Sequence, residues 1–481
     1  MKKQAIALVF ANGINFLVNF AMTPFLARQL SYQDNGTYGQ INLINGFAAI
    51  VFGLGISSVI NLLLAEVKGQ EKSLISAGFW IQTLSAVVCV LFIGLFSSPV
   101  SVLFNNNQLA NYLVQYLPST FLMILSNLAM YYYIYYNKTY QLSFITVLTN
   151  ILKIAAVYYA VNFLKSLYYV ILFINIVSLL QIVVHSWFLR RQLFPIFKPD
   201  LSKIKYVLNL SLPYMGMSII GYSILYANGI IVSNQMGITE FAIYRNGAIE
   251  IPFIATLYAS ISAVALPKIV ELTRSGNFKD LMALKRKISS SVAAMIYPVV
   301  FFCIFNGQIF IELYLGEKYI QSGIIFCIYN LAVLIRINSY TDILTISKKP
   351  FKIVIPNIMS LVAGLIGTYL LISMMGVKGA AVSYVISIFI LCIFLINNTC
   401  TQLGIKLFEY FDFKVIGKII LVSIIAALIS MLFVKVNTFS FLLVGCIYMF
   451  SVYFFLLKLK LIDVGLLPAP LKAFLQKFKL V

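Results

Sequence analysis

Arg28–Gly39 reads R-Q-L-S-Y-Q-D-N-G-T-Y-G, a short polar turn between two long apolar runs. The pattern returns at Asn234–Arg245 as N-Q-M-G-I-T-E-F-A-I-Y-R, in which Gln29 matches Gln235, Leu30 matches Met236, Asp34 matches Glu240, Gly36 matches Ala242 and Tyr38 matches Tyr244. A turn used twice predicts two similar halves, and self-similarity of this kind governs the reading of everything around it.

What surrounds both copies is apolar. The chain has 481 residues, 61% hydrophobic and 10% charged, with a mean hydropathy of +0.96. Soluble domains carry roughly 25% charged residues, so most of this chain must meet a solvent that penalises charge. That predicts an all-α integral membrane protein. A crossing takes about 20 apolar residues, and fourteen spans are expected at about 5–27, 38–64, 75–96, 112–136, 141–162, 167–189, 206–233, 241–267, 288–306, 322–346, 353–375, 379–400, 415–435 and 440–457. The basic, Pro-containing stretch Arg190–Lys205 reads as a linker. The expected organisation is a lobe of six helices with its linker (1–200), a second six-helix lobe (201–404), and two further helices with a tail (405–481). Six spans per lobe give both lobes the same orientation, with a pseudo-twofold along the membrane normal.

A net charge of +21 would raise the question of nucleic acid in a soluble chain. Here the Lys and Arg residues fall mainly between spans. With both termini cytoplasmic, most of the 35 lie on the inner side, including Lys268–Lys287 as a cytoplasmic extension of the eighth span. Only Arg28, Lys165, Lys318, Lys378 and Lys435 lie outside, while Lys153, Arg245 and Arg336 stay within or at the edge of spans. The start, Met1-Lys2-Lys3 followed by apolar residues to about Phe25, is too long for a signal peptide. The tail after Lys458 reads as an interfacial amphipathic helix.

No catalytic constellation stands out. The six Cys show no C-x-x-C spacing, the single His185 has no partner set for metal or nucleophilic chemistry, and no G-x-x-x-x-G-K-[ST] loop is present. The connections leave no room for a soluble catalytic domain. An enzyme and a metal site are therefore not expected.

Ionisable groups at membrane depth are the informative residues, because each costs a few kcal/mol or more there. Lys153 lies about 12 residues, roughly 18 Å, into the fifth span. Arg336 lies at similar depth, with Asp342 six residues on. Arg245 and Glu250 open the eighth span, and Arg28 closes the first. Internal ion pairs are the plain alternative. Arg245–Glu250 and Arg336–Asp342 lack the i,i+4 spacing of a same-face pair, which leaves pairing across helices, such as Glu250 with Arg336. Spans one to six hold no clearly intramembrane carboxylate, so Lys153 has no obvious counter-ion. A water-filled cavity and an anionic ligand would complete it. Asn12, Asn15, Asn19, Asn42 and Asn45 cannot all face lipid and are expected on a cavity surface. The Tyr131–Tyr136 cluster reads as an interfacial aromatic belt, with stacking on sugar rings as the alternative.

The turn Gln29–Gly39, its second copy and G-V-K-G-A-A at Gly376–Ala381 make the whole chain resemble the Wzx-type flippases of lipid-linked oligosaccharides, polysaccharide biosynthesis proteins of the multidrug/oligosaccharidyl-lipid/polysaccharide exporter superfamily. The resemblance implies two six-helix lobes around a cavity that alternates between inward- and outward-open states. It implies undecaprenyl diphosphate-linked repeat units as substrate, moved to the periplasmic leaflet of the bacterial inner membrane for O-antigen-like polysaccharide. Polymerase and chain-length proteins of the same pathway are the implied partners, and no cofactor is implied. Fourteen spans depart from the twelve common in that branch and match the lipid II flippases of the superfamily. Lys153, Arg336, Arg28 and Arg245, with Asn12 and Asn42, are the substrate-binding candidates by chemistry, and Glu250 and Asp342 are candidates for exchanging a proton or sodium ion. The rival readings are a cation-coupled drug exporter, which wants carboxylates in the first lobe, and a membrane polymerase or glycosyltransferase, which wants a large outer loop.

Overall fold

The computed structural model describes residues 2–66, 71–193, 199–251, 254–459 and 461. The chain is all-helical, and no strand occurs among the described residues. It divides into two compact units, Met1–Ala242 and Ile243–Val481.

Among the described residues, ten helices are long and apolar enough to cross a membrane. The remaining expected spans are 5–27, 38–64, 241–267 and 322–346. The first forms one helix, α1 (Lys2–Gln29); the other three are interrupted. The second span is split into α2 (Tyr32–Val51) and α3 (Ile56–Glu66) by a turn in which Leu54 and Gly55 have positive φ.

Both copies of the repeated turn break a helix. After α1, Ser31 adopts extended backbone (ψ 162°) and caps α2 by accepting from the Asp34 amide. At the matching position of the second copy, Gly237 (φ 82°, ψ −177°) breaks α9 (Leu201–Gly247). A 47-residue helix would run about 70 Å, more than twice the roughly 30 Å hydrocarbon core. The glycine supplies the left-handed φ that lets the chain turn.

The two turns also touch. A Cβ on Gly36 would lie 2.7 Å from the Ile238 carbonyl oxygen, so only glycine fits. A buried polar cluster ties α2 to α9 beside this contact. Gln40 donates to the Ser233 hydroxyl (2.7 Å) and to the Phe104 carbonyl (3.2 Å), and Asn106 donates to Gln40 (2.5 Å) and Thr37 (2.9 Å). Each is nearly or fully buried, and a satisfied buried network specifies one packing.

The rest of the first unit is built by α4 (Glu71–Leu103), α5 (Leu109–Ser126), α6 (Ala129–Tyr135), α7 (Thr139–Tyr159, continued as a π-helical turn to Leu164) and α8 (Leu167–Leu193). These helices share two apolar cores. One holds Val18, Leu26, Ile93, Ile124 and Val157, the other Ile60, Ile75, Leu128, Ile145 and Leu189. Helices α7 and α8 and the α5–α6 pair contribute to both.

In the second unit follow α10 (Ile254–Arg274), α11 (Phe278–Phe305), α12 (Gly307–Leu315), α13 (Ser322–Asn330), α14 (Asp342–Ile346), α15 (Phe351–Met375), α16 (Val377–Leu403), α17 (Phe413–Met431) and α18 (Thr438–Lys458). Helix α11 is the most enclosed of the long apolar helices. The G-V-K-G-A-A motif is the α15–α16 corner. Gly376 (φ 59°) ends α15, and a Cβ on Gly379 would lie 2.2 Å from the Leu371 carbonyl oxygen. Exposed apolar side chains such as Leu421, Ile425, Phe450 and Phe454 cover the outside of α17 and α18, as lipid-facing helices require. The tail read as an amphipathic helix lies outside the described residues.

Candidate functional site

Between the two apolar cores of the first unit, the helices turn polar residues toward one another. Helix α1 contributes Asn15; α5 contributes Ser119 and Ser126; α7 contributes Thr146, Thr149, Asn150 and Lys153; α8 contributes Ser178, Gln181 and His185. They line a cavity of about 490 Å³. Thr and Asn on α7 return hydrogen bonds to carbonyls one turn back, as Thr149 does to Ile145 (2.8 Å) and Asn150 to Thr146 (2.9 Å). This local bonding makes polar residues tolerable at that depth.

Lys153 lies 14 residues into α7, roughly 21 Å along its axis, and is half-buried. Among the described residues no Asp or Glu lines the cavity, and no ion pair involves this lysine. A cationic, hydroxyl- and amide-lined recess is what an anionic, hydrogen-bonding headgroup needs. The opposite wall is fixed by side-chain bonds. Asn175 accepts from the Ser119 amide and hydroxyl (3.2 and 2.5 Å) and donates to the Gln115 carbonyl (2.7 Å). Buried His185 shares a hydrogen bond with the Tyr133 hydroxyl (3.2 Å). Tyr132 donates to the Ile75 carbonyl (3.2 Å). The tyrosine cluster read as an interfacial belt therefore sends Tyr132 and Tyr133 inward.

The other singled-out residues are placed as follows. Arg28 is exposed on the last turn of α1, and Arg245 is half-buried near the end of α9. Asn42 donates to the Tyr38 carbonyl of its own helix (2.8 Å), and Asn45 accepts from Thr120. The side chain of Asn12 lies outside the described residues. Arg336 forms an ion pair with Glu250, the cross-element partner the sequence leaves open. Asp342 pairs with Lys285 (2.6 Å).

Lys285 is the residue whose packing the sequence reading misses. Counted among the charges of Lys268–Lys287, it is fully buried in α11. Its ammonium donates to Asp342, to Asn338 (3.1 Å) and to the Ser339 carbonyl (2.7 Å), using all three of its protons. Leu281, Lys285 and Ser289, four apart, are all buried, and that helical spacing is the signal that sets it apart from its neighbours.

Lys285 serves an interruption. The tenth expected span runs as α13, a 3-10 turn Leu331–Leu334, an irregular stretch 335–341 and α14. Four of the carbonyls along it receive a side chain: Leu334 from Tyr297 (2.5 Å), Ile335 from Tyr340, Ser339 from Lys285 and Tyr340 from Thr399 (3.1 Å). Unpaired carbonyls would not survive at this depth. A second interruption, at Ala248–Ile251, is held by Asn330, which accepts from the Ile251 amide (3.0 Å) and donates to the Ile249 carbonyl (3.0 Å).

Comparison with known proteins agrees with this architecture. The chain resembles the lipid II flippase MurJ in an inward closed conformation, with a TM-score of 0.69 at 16% identity over 94% of this chain and 97% of that one. It also resembles an inward-facing multidrug resistance MATE transporter of the MOP superfamily, with a TM-score of 0.60 at 15% identity over 81% and 94%. A Pyrococcus furiosus MOP superfamily transporter described as having a binding pocket of reverse polarity gives 0.55 at 14% identity over 83% and 94%. At these identities the likeness is one of fold, and it is a fold of flippases and transporters. No curated protein sequence matches significantly. The sequence profile of the polysaccharide biosynthesis proteins matches residues 25–323, more than half the chain. This multi-pass, all-α membrane protein belongs to the polysaccharide biosynthesis protein family and has the MurJ/MATE-like fold of the MOP superfamily.

Proposed function

We propose that the protein is a flippase for undecaprenyl diphosphate-linked oligosaccharides, moving repeat units from the cytoplasmic to the periplasmic leaflet of the inner membrane by alternating access, for surface polysaccharide of the O-antigen type. The carrying observation is Lys153, a cation in a polar cavity whose lining, among the described residues, holds no carboxylate. A headgroup with two phosphates and several sugars cannot cross hydrocarbon. Lys153 meets its charge, while Asn15, Asn150 and the hydroxyls of α5 and α7 replace its water. Arg336 enters the same reading with its charge already held by Glu250, which leaves Lys153 as the principal anion contact.

The drug-exporter reading is disfavoured by the same cavity, since a cationic drug would meet a lysine and no carboxylate. Lys153→Ala is expected to abolish surface polysaccharide while the protein still inserts, with Lys153→Arg retaining export. Normal glycan on cells carrying only Lys153→Ala would remove the proposal.

A further inference from the structure

The second unit holds a cavity of about 260 Å³ that the anion-binding reading does not use. It is built where the two interruptions of that unit meet. Glu250 belongs to one, at Ala248–Ile251; Arg336, Ser339 and Thr341 belong to the other, at 335–341, and the Glu250–Arg336 ion pair joins them. Irregular backbone at membrane depth is tolerated where it is buried in protein or lines a polar cavity, and paired interruptions mark binding sites in transporter folds. The carbonyls of this break are held by Tyr297, Lys285 and Thr399, so the irregular shape is fixed by the surrounding side chains.

The charge in the cavity is self-cancelled. An anion would find a guanidinium already held by Glu250, and a cation would find a carboxylate already held by Arg336. What the pair still offers is donors and acceptors side by side, both half-exposed, at 42% and 31% of their side-chain surface. The Tyr258 ring and the Ser339 and Thr341 residues extend that set, and Ile254, Ile388 and Leu395 form an apolar wall. Vicinal hydroxyls that both donate and accept, on a ring with an apolar C–H face, match such a lining. The size lies just below the ordinary range for ligand pockets, which suits one or two rings.

We propose that this cavity is a recognition site for an uncharged sugar. Its preference for an uncharged sugar stands by itself; that the sugar belongs to a lipid-linked glycan rests on the flippase reading.

The test is a ligand-observed NMR titration of the purified full-length protein with the methyl glycosides of glucose, galactose, N-acetylglucosamine and rhamnose, and with glucuronate. At least one neutral glycoside is expected to bind with a dissociation constant of roughly millimolar, and Lys153→Gln should leave that binding unchanged. Glu250→Gln, which frees Arg336, should weaken it by roughly tenfold or more and create binding of glucuronate. Thr341→Val, which leaves the ion pair intact, should weaken it by roughly two- to tenfold. Failure of every neutral glycoside to bind, a preference of the wild type for glucuronate, or neutral-sugar binding untouched by either cavity substitution overturns the proposal. Sugar binding that behaves as expected in a protein unable to move a diphosphate-linked glycan would count against the flippase reading and leave the sugar site standing.

Discussion

Three cations within the helical bundle illustrate how differently one residue type can be used. Lys153 faces a polar cavity without a carboxylate, Arg336 faces another cavity with its charge cancelled, and Lys285 faces nothing but protein. Lys285 is structural by this account. Removing its side chain strands the Asp342 carboxylate and the Ser339 carbonyl together, and breaking one side of a buried pair costs about 3–5 kcal/mol. Lys285→Met should therefore lower the thermal midpoint of the purified protein far more than Lys287→Met at the exposed neighbouring position, and equal midpoints would contradict the role. The depth of Lys153 is readable from sequence because spans one to six hold no clearly intramembrane carboxylate. Lys285 is hidden because it stands in the run Lys285-Arg286-Lys287, which reads as a basic loop, and its four-residue spacing from Leu281 and Ser289 on the buried face of α11 is what separates it from the other two.

At the scale of elements, the sequence marks turns better than it marks interruptions. The turn at Arg28–Gly39 and its echo both prove to be helix breaks, because Ser31 and Gly237 each bring a backbone suited to one. The breaks at 248–251 and 335–341 do not announce themselves as clearly. Carbonyls along them are bonded by Tyr297, Lys285, Asn330 and Thr399, residues spread over the three helices α11, α13 and α16, and no local pattern contains that information. The α15–α16 corner is a case where two glycines in one motif do different work. Gly379→Ala forces a methyl group against the Leu371 carbonyl, which should destabilise the hairpin by about 1–3 kcal/mol. Gly376→Ala, which meets the cost of a positive φ, should destabilise it by about 1–2 kcal/mol. Thermal unfolding of the two variants checks the order, and a Gly379→Ala protein as stable as the wild type would show that α15 and α16 do not need that approach.

At the scale of the molecule, composition alone points to a membrane, and the repeated turn points to a fold built from related parts. The ten long apolar helices and the four polar or interrupted spans divide the labour. The former build most of the packing, and α5, α7 and α8 among them carry nearly all the polar lining of the Lys153 cavity, whereas the interrupted spans supply the ion pair of the second cavity. The position of Lys153 in a polar cavity among α1, α5, α7 and α8, rather than its mere presence, links this division to transport. The account therefore turns on translocation itself. Purified protein in liposomes should be given an undecaprenyl diphosphate-linked oligosaccharide in one leaflet, and its arrival in the other followed by the access of an added glycosidase. Transfer by the wild type that falls to the protein-free rate with Lys153→Gln, and returns with Lys153→Arg, is the result expected. Transfer at equal rates by the wild type and Lys153→Gln, or by neither above the protein-free rate, would contradict it.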